Sequence, residues 1–448
     1  MLFRGAVERG IQSERPWRSG EEAAAREKMD TEDHEGLLEL MLWQDNMREA
    51  WRSVRANDGA AGVDGKDVAQ TALHLKQHWP RIALQIRRGQ YRPGAIREVQ
   101  IPKPDGGTRT LGIPNVQDRL IQQALLQVLQ ERFDAEMSPH SYGYRPGRNA
   151  QQAVLAAQAL VRQGKRWVVD IDLKDFFNQI DHDILLREIG KEVMDRRLRR
   201  LIALYLRAPT RDAQGQQRKR LKGVPQGAPL SPLLSNIYLD LLDKELQRRG
   251  VSFVRYADDI AIYAGSQQAA ERIYESVVRW LREHLKLEVN PEKSGAGPTD
   301  DSSLLGYRIG SDGSLHLAPK TVQRYKQRVR EHWNARRSLT ADEQREQWLL
   351  FIRGWANYFG LVTAQRQLKQ LSGWTRRHMR KFVWQRWHKA KGRRKGLARL
   401  GLTGRILGMA SSRLGAWALA GHAVLQRAMP NARLRQWNFL TPSDLVMP

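Results

Sequence analysis

Two adjacent carboxylates, Asp258 and Asp259, interrupt an otherwise apolar stretch in which SFVRY (252–256) precedes them and IAIYA (260–264) follows. Flanks of this kind predict two short strands joined by a tight turn that carries the acidic pair. Desolvating an ionised carboxylate costs several kcal/mol, and two side by side also repel each other. A divalent cation is the simplest way to keep both ionised. A second apolar run, WVVDIDL (Trp167 to Leu173), contains Asp170 and Asp172. If the two runs are neighbours in one sheet, Asp172 and Asp258 converge on one edge and can hold two Mg²⁺ about 4 Å apart, which activates a 3′-hydroxyl and stabilises a leaving pyrophosphate. Oxygen-only ligands favour Mg²⁺ over zinc. The competing reading is a solvated turn with no chemistry.

The rest of the chain supplies the layers such a sheet needs. Helical periodicity begins near Leu37 and breaks at Asn57 to Gly65 (NDGAAGVDG), a segment dense in turn formers. REVQIPKP from Arg97, the turn Asp105-Gly106-Gly107 and TRTLGIP read as a hairpin. Helices are expected over Gln117 to Arg132, Asn149 to Gln163, a stretch reaching Arg207, a segment opened by the Pro/Gly-rich loop Val224 to Pro232 and ending near Arg249, and Gln268 to Leu285. After Pro319 the pattern is helical to about Arg399, with breaks at Ser338 to Ala341 and at Gly360. This order is that of an α+β layer with helices on one face. A length of 448 residues predicts two to four domains.

Charge narrows the class of partner. The chain has 75 Lys+Arg against 48 Asp+Glu, a surplus of 27 at a sequence pI near 10.6. That is too basic for an ordinary enzyme of small molecules and points to a polyanion. Residues 318–448 contain 27 Lys+Arg and 5 Asp+Glu, so 22 of the excess charges lie in the last third. The same stretch holds eight of the fourteen Trp: Trp333, Trp348, Trp355, Trp374, Trp384, Trp387, Trp417 and Trp437. Interleaved cations and aromatics compose a surface that grips nucleic acid; the alternative is a solvated basic face over a Trp-rich core. The absence of Cys excludes disulfides, thiolate zinc ribbons, Fe–S clusters and cysteine nucleophiles, and points to a reducing compartment. No apolar run approaches the roughly 20 residues of a membrane helix and no secretory signal is visible, so a soluble, cytoplasmic protein is expected.

Several motifs carry a family resemblance. Tyr256-Ala257-Asp258-Asp259 resembles the YADD hairpin of reverse transcriptases. Val169 to His182 (VDIDLKDFFNQIDH) resembles the strand bearing their first catalytic Asp, and Val224 to Asn236 (VPQGAPLSPLLSN) resembles their QGxxxSPxxxN loop. Ser141 to Asn149 (SYGYRPGRN) and Ile101 to Pro114 (IPKPDGGTRTLGIP) are similar to fingers motifs of the group II intron branch. Phe351 to Gly360 (FIRGWANYFG), with Trp374 to Trp387, is similar to its maturase-specific segment. The resemblance covers about residues 37–440 and leaves out the Cys-containing endonuclease that many members append, which implies the endonuclease-lacking, class C-like type.

The resemblance implies a right-hand polymerase: fingers, a palm with a ferredoxin-like antiparallel sheet, a helical thumb and a small basic C-terminal DNA-binding region. The expected boundaries are a mobile tail at 1–35, an N-terminal extension of the fingers at 36–95, fingers at 96–165, palm at 166–317 with a fingers part at about 190–222, thumb and maturase-specific domain at 318–395, and the basic region at 396–448. The implied activity is RNA-directed DNA synthesis by a protein that binds group II intron RNA, assists its splicing and copies it into DNA during retrohoming. Its implied cofactors are two Mg²⁺, and its other partners are dNTPs, a primer–template duplex and target DNA, with no membrane. Monomer and dimer both remain open. A domesticated RNA-binding maturase or a phage-defence reverse transcriptase is the alternative; a viral RNA polymerase is disfavoured by Phe177 and by Ala257, where such enzymes usually carry Gly.

The same alignment implies roles. Asp172, Asp258 and Asp259 are the catalytic, metal-binding carboxylates, whereas Asp170 serves a structural hydrogen bond. Phe177 places a ring under the sugar, where it crowds a 2′-hydroxyl and favours dNTP. Lys103 and Arg109 neutralise the triphosphate, Leu173 and Gln226 lie beside the incoming nucleotide, and Lys293 is a palm lysine near the phosphates. Arg145, Arg148, Arg353, Arg376, Arg377, Arg380 and Lys381 are the implied nucleic-acid contacts. No side chain is assigned as general base, and the two-metal mechanism does not require one.

Overall fold

The computed structural model describes residues 36–102 and 106–446; the tail expected at 1–35 lies outside the described residues. The first elements are helices α1 (Leu37–Leu42), α2 (Gln44–Asn57) and α3 (Val68–Arg87), then the hairpin β1 (Ile96–Pro102) and β2 (Thr108–Ile113). Helices α4 (Val116–Glu136) and α5 (Ala150–Arg162), strand β3 (Trp167–Ile171) and helices α6 (Phe176–Gln179), α7 (His182–Glu192) and α8 (Arg196–Leu206) follow. Two short strands, β4 (Thr210–Arg211) and β5 (Gln217–Arg218), precede α9 (Ser231–Arg248), β6 (Ser252–Tyr256), β7 (Asp259–Ala264), α10 (Gln267–Leu285) and β8 (Gly295–Pro298). The chain continues through β9 (Tyr307–Ile309), β10 (Leu315–Leu317), α11 (Pro319–His332), α12 (Ala341–Tyr358), α13 (Gln365–Arg386) and α14 (Ala390–Arg399). A 3₁₀ segment (Gly404–Ser411) and four short helices, α15 (Ala416–Ala420), α16 (Ala423–Ala428), α17 (Asn431–Gln436) and α18 (Pro442–Leu445), complete it.

The helical stretch expected to reach Arg207 is three helices, because two aspartates restart it. Asp181 caps α7 by accepting from the Asp183 and Ile184 N–H groups, and Asp195 caps α8 by accepting from Arg197 N–H. Strands β1 and β2 pair antiparallel with Arg97 opposite Ile113 and Pro102 opposite Thr108. Strand β4 joins β1 in parallel and gives the order β2-β1-β4-β5. A second sheet has the order β6-β7-β3-β8, the order of a βαββαβ ferredoxin-like unit. The two anomalous apolar runs are therefore immediate neighbours.

The chain forms two compact units. Residues up to Asn149, Val169–Ile262 and Glu271–Gly295 make one; Ala150–Val168, Tyr263–Ala270 and the residues from Ala296 onward make the other. This departs from the expected boundaries near 165 and 317, and the hydrogen bonds of the second unit explain it. Gln158 on α5, expected in the fingers, donates to the Gly313 carbonyl (2.7 Å). On β10, expected in the palm, the N–H groups of Leu315 and Leu317 donate to Thr363 Oγ1 (2.9 Å) and Gln367 Oε1 (2.8 Å). A three-residue strand leaves polar backbone to satisfy, and the start of α13 satisfies it.

The basic C-terminal region, expected as a separate small module, completes the core of the second unit. Arg376 on α13 pairs with the buried Asp444 (2.9 Å), and Trp348 Nε1 donates to the Leu440 carbonyl (2.8 Å). Trp333, Trp348 and Trp384 are fully buried. Trp333 lies 5.3 Å from Trp348 and 4.7 Å from Phe439 between ring centroids. Much of the Trp enrichment that reads as a stacking surface is core, where large rings bury the most area.

Candidate active site

Strand β6 ends at Tyr256 and β7 begins at Asp259, so the turn between them is tight, and Ala257 adopts φ +57°. A non-glycine residue in this left-handed region needs support from its surroundings. Two supports are visible. Gly143 lies against the turn so closely that a Cβ would come within 2.3 Å of Ala257 N. Arg255, wholly buried on β6, donates to the Ala257 carbonyl (3.0 Å), to Asn236 Oδ1 on α9 (2.8 Å) and to both carboxylate oxygens of the equally buried Asp243 (2.8 and 2.9 Å from Nε). Asn236 Nδ2 then donates to the Gly143 carbonyl (2.8 Å) and closes the ring. Sequence reading missed this network, although Arg255 in the apolar SFVRY strand is the same kind of anomaly as Asp258.

The turn holds its carboxylates in a dense but reachable place. Asp258 is half-buried, and partial desolvation raises its pKa; Asp172 raises it further, while its own backbone N–H, Arg109 and Arg255 act the other way. Asp259 is accessible to solvent at its surface, yet the protein around it withholds enough hydration, with the charges of Asp258, Asp172 and Asp170, to push its carboxyl up to about 6. These influences come from Asp170 on β3, Asp172 just past its end and the two aspartates of the turn. Asp172 is tied down through its backbone: its N–H donates to Ser294 Oγ (2.8 Å) and its carbonyl accepts from Asn290 N–H (2.8 Å).

The donor chemistry fits a hard divalent cation, being oxygen-only and mutually repulsive without one. Among the described residues, no three His, Cys, Asp or Glu side chains are already gathered into a ligand cluster.

The other expected site residues fall around this turn in part. Arg109 is exposed on β2, and its charge is felt by Asp258 and Tyr144. Lys103 lies outside the described residues. Leu173 is buried and bridges to Val289, and the exposed Lys293 sits in the turn that supplies Asn290 and Ser294 to Asp172. Phe177 is half-buried with its ring 5.2 Å from Phe176. The loop containing Gln226 is stitched on both sides: Val224 N–H donates to the Phe177 carbonyl (2.7 Å), and the Gln226 carbonyl accepts from Gly112 N–H of β2 (2.8 Å).

Residues 101–309 match the reverse transcriptase (RNA-dependent DNA polymerase) family, and residues 322–401 match the group II intron maturase-specific domain. The chain belongs to the group II intron reverse transcriptase family. Curated relatives of this reverse transcriptase include Protein YkfC of Escherichia coli, 29% identical over 68% of this chain and 90% of that protein. The putative COX1/OXI3 intron 1 protein of Saccharomyces cerevisiae is 29% identical over 47% of this chain and 25% of its own length. The group II intron-encoded protein LtrA of Lactococcus lactis is 32% identical over 64% of this chain and 59% of its own length. Two of these three relatives are thus covered over less than two thirds of their length. A polymerase of this family depends on divalent metal. No helix among the described residues is long and apolar enough to cross a membrane.

Most arginines expected to touch nucleic acid have intramolecular work in this reverse transcriptase. Buried Arg145 pairs with Asp134 (2.7 Å) and donates to the Ser138 and Ser141 carbonyls; Arg148 donates to the Pro139 carbonyl (2.6 Å). Together they close the loop that presents Gly143 to the turn. Arg380, also buried, donates to the Met429 carbonyl (2.9 Å), Arg376 binds Asp444, and Arg377 donates to the Trp417 carbonyl (2.9 Å). Arg353 is exposed and Lys381 half-exposed.

Proposed function

We propose that the chain copies group II intron RNA into DNA, with Asp172, Asp258 and Asp259 as the residues that hold two Mg²⁺. The observation that carries this reading is the shared field of those carboxylates at a turn whose unusual backbone is braced from two sides. Bound metal supplies the Lewis acidity that activates the primer 3′-hydroxyl and offsets charge on the leaving pyrophosphate. The remaining work falls to side chains. Arg109, close enough to stabilise the Asp258 carboxylate, offsets triphosphate charge from the fingers side. Phe177 limits room for a ribose 2′-hydroxyl, while Leu173 and Gln226 shape the nucleotide site, the latter fixed through its backbone to β2. Lys293 adds positive charge from the turn beside Asp172, and Lys103 is the second cation that the family motif assigns to the triphosphate. Alignment in line, rather than proton abstraction by a side chain, is what these groups contribute.

The domain reading follows the same lines: fingers around the β2-β1-β4-β5 sheet, palm around β6-β7-β3-β8, and a helical thumb with maturase function thereafter. The intron-encoded relatives and the matched maturase-specific domain support binding of intron RNA, assistance in its splicing and copying of the intron at target DNA during retrohoming. The test is primer extension with dNTPs on an RNA template by the double variant Asp258→Ala/Asp259→Ala. Synthesis should fall by more than about 10³-fold while RNA affinity stays within about twofold of the parent. Undiminished synthesis would overturn the site.

A further inference from the structure

The second unit contains a cleft of about 610 Å³, within the size range of sites that enclose a small organic ligand. One side is aromatic. The His378 ring lies 4.2 Å from Trp374 and 4.7 Å from Trp417, tilted by 53° and 55°, so the three rings form a corner, and Trp417 is 37% exposed. Burial, helped by Lys381, Arg330 and Arg377, holds the His378 pKa down to about 4, so the ring is neutral near pH 7.

Apart from Trp333 and Ala335, the rest of the lining is polar or cationic. Arg330, Arg336 and Lys381 border the cleft and no carboxylate does. Arg330 and Lys326 lie 5.4 and 5.7 Å from the Trp374 ring centroid and Arg377 4.2 Å from that of Trp417, so cations flank the aromatic corner. Trp333 contributes to the wall and has a buried indole N–H without an acceptor.

An aromatic corner edged by cations suits a base with its flanking phosphates. A duplex hides its base faces in the stack, whereas an unpaired nucleotide exposes one. The amides of Asn334 and Gln385 in the same cleft can both donate to and accept from a 2′-hydroxyl, the group that separates RNA from DNA. All the lining residues except Trp417 fall within the matched maturase-specific segment.

We propose that this cleft receives one unpaired nucleotide of an RNA, its base in the corner of Trp374, His378 and Trp417 and its phosphates on Arg330, Arg336 and Lys381. The inference rests on the reading that the chain binds RNA, and it adds the site and the strandedness. Trp417→Ala removes an exposed ring, and Arg336→Ala/Lys381→Ala removes two cations outside the catalytic turn.

The experiment measures affinity of the full chain for a ten-nucleotide oligouridylate, the matching oligodeoxyuridylate and a blunt RNA duplex at fixed salt. A terminated primer–template, added in excess, occupies the polymerase site throughout. Loss of one base stack, about 1–3 kcal/mol, predicts about a 5- to 150-fold weaker hold on the oligouridylate for Trp417→Ala, with duplex affinity unchanged. Equal losses for duplex and single strand, no loss, or equal parental affinity for the DNA strand would each overturn the proposal. In parallel, photocrosslinking of the parent chain to oligo(5-iodouridylate) needs no variant to fold: adducts are expected on Trp417 or Trp374, and adducts confined to other residues would overturn it. Primer extension by the parent separates the two readings. Extension with an unaffected Trp417→Ala affinity sinks the cleft alone, whereas a parent that neither extends nor binds RNA sinks the underlying reading.

Discussion

Arg255 and Arg380 are both buried arginines in a chain with 27 excess positive charges, and the two compact units use them differently. In the first unit Arg255 is matched by a buried carboxylate, Asp243, and spends its remaining donors on Asn236 and the Ala257 carbonyl. The cation there braces an acidic turn. In the second unit Arg380 has no carboxylate partner in its hydrogen bonds; it donates to the Met429 carbonyl and to Asn431 Oδ1, and so fastens a short C-terminal helix segment to α13. Charge density along the sequence therefore overstates the charge left to meet nucleic acid, because arginines that dock helix ends are already committed.

The comparison breaks most readily at Arg255. Arg255→Met leaves Asp243 buried without its partner, and about 3–5 kcal/mol of stability should be lost. Primer extension should fall even at temperatures where the variant stays folded, and Arg255→Lys, which keeps the charge but not the fork, should recover stability better than rate. A folded, fully active Arg255→Met would show that the turn needs no brace. In the second unit Arg380→Ala should cost about 1.5–3 kcal/mol, since it removes charge-assisted bonds to a carbonyl and an amide. Extension on a saturating pre-annealed template should persist in that variant, and calorimetry with steady-state kinetics checks both halves.

Acid sharpens the contrast because the units carry buried titrating groups of opposite sign. In the second unit burial holds the His332 pKa down to about 4, against 6.5 in the unfolded chain. Its contribution to stability is complete above about pH 6.5 and is lost as pH falls towards 4, costing about 2 kcal/mol by pH 5. In the first unit burial lifts Asp118 to about 6 from 3.8, despite hydrogen bonds from Tyr91 Oη–H (2.7 Å) and Gly94 N–H (3.0 Å). Its contribution is present at low pH and is lost as pH rises through about 6. Melting between pH 7 and pH 5 should therefore destabilise the parent less after His332→Gln and more after Asp118→Asn; the reverse order would contradict the assignments. Gly143→Ala would drive a Cβ to 2.3 Å from the Ala257 backbone N, so the turn itself must shift; about 1–3 kcal/mol of stability should be lost and kcat should fall at least about tenfold with little change in KM.

The hairpin around Gly106 and the strands on either side of Asp258-Asp259 were legible before any coordinates, from short apolar runs punctuated by turn formers and misplaced charges. That β3 and β7 are neighbours was a condition of the metal-site reading, and the sheet order supplied it. The second unit was less legible. Trp384, with four Lys or Arg within five residues, is fully buried, whereas Trp417, with only Arg413 that near, is 37% exposed. Local charge therefore points the wrong way, because burial of each ring is set by packing and not by its sequence neighbours.

By itself the sequence determined which residues had to find unusual surroundings: adjacent carboxylates in an apolar strand must meet opposite charge, and a basic, Trp-rich third must either pack or bind. Tertiary structure alone decided how each demand is met. It set Gly143 under the turn, joined Arg255 to Asp243 and Asn236 across three segments, and divided the C-terminal arginines between carbonyls and an open cleft. The physical reason is that desolvation cost is a property of a residue, whereas the partner that offsets it depends on which distant segments the fold brings within hydrogen-bond reach.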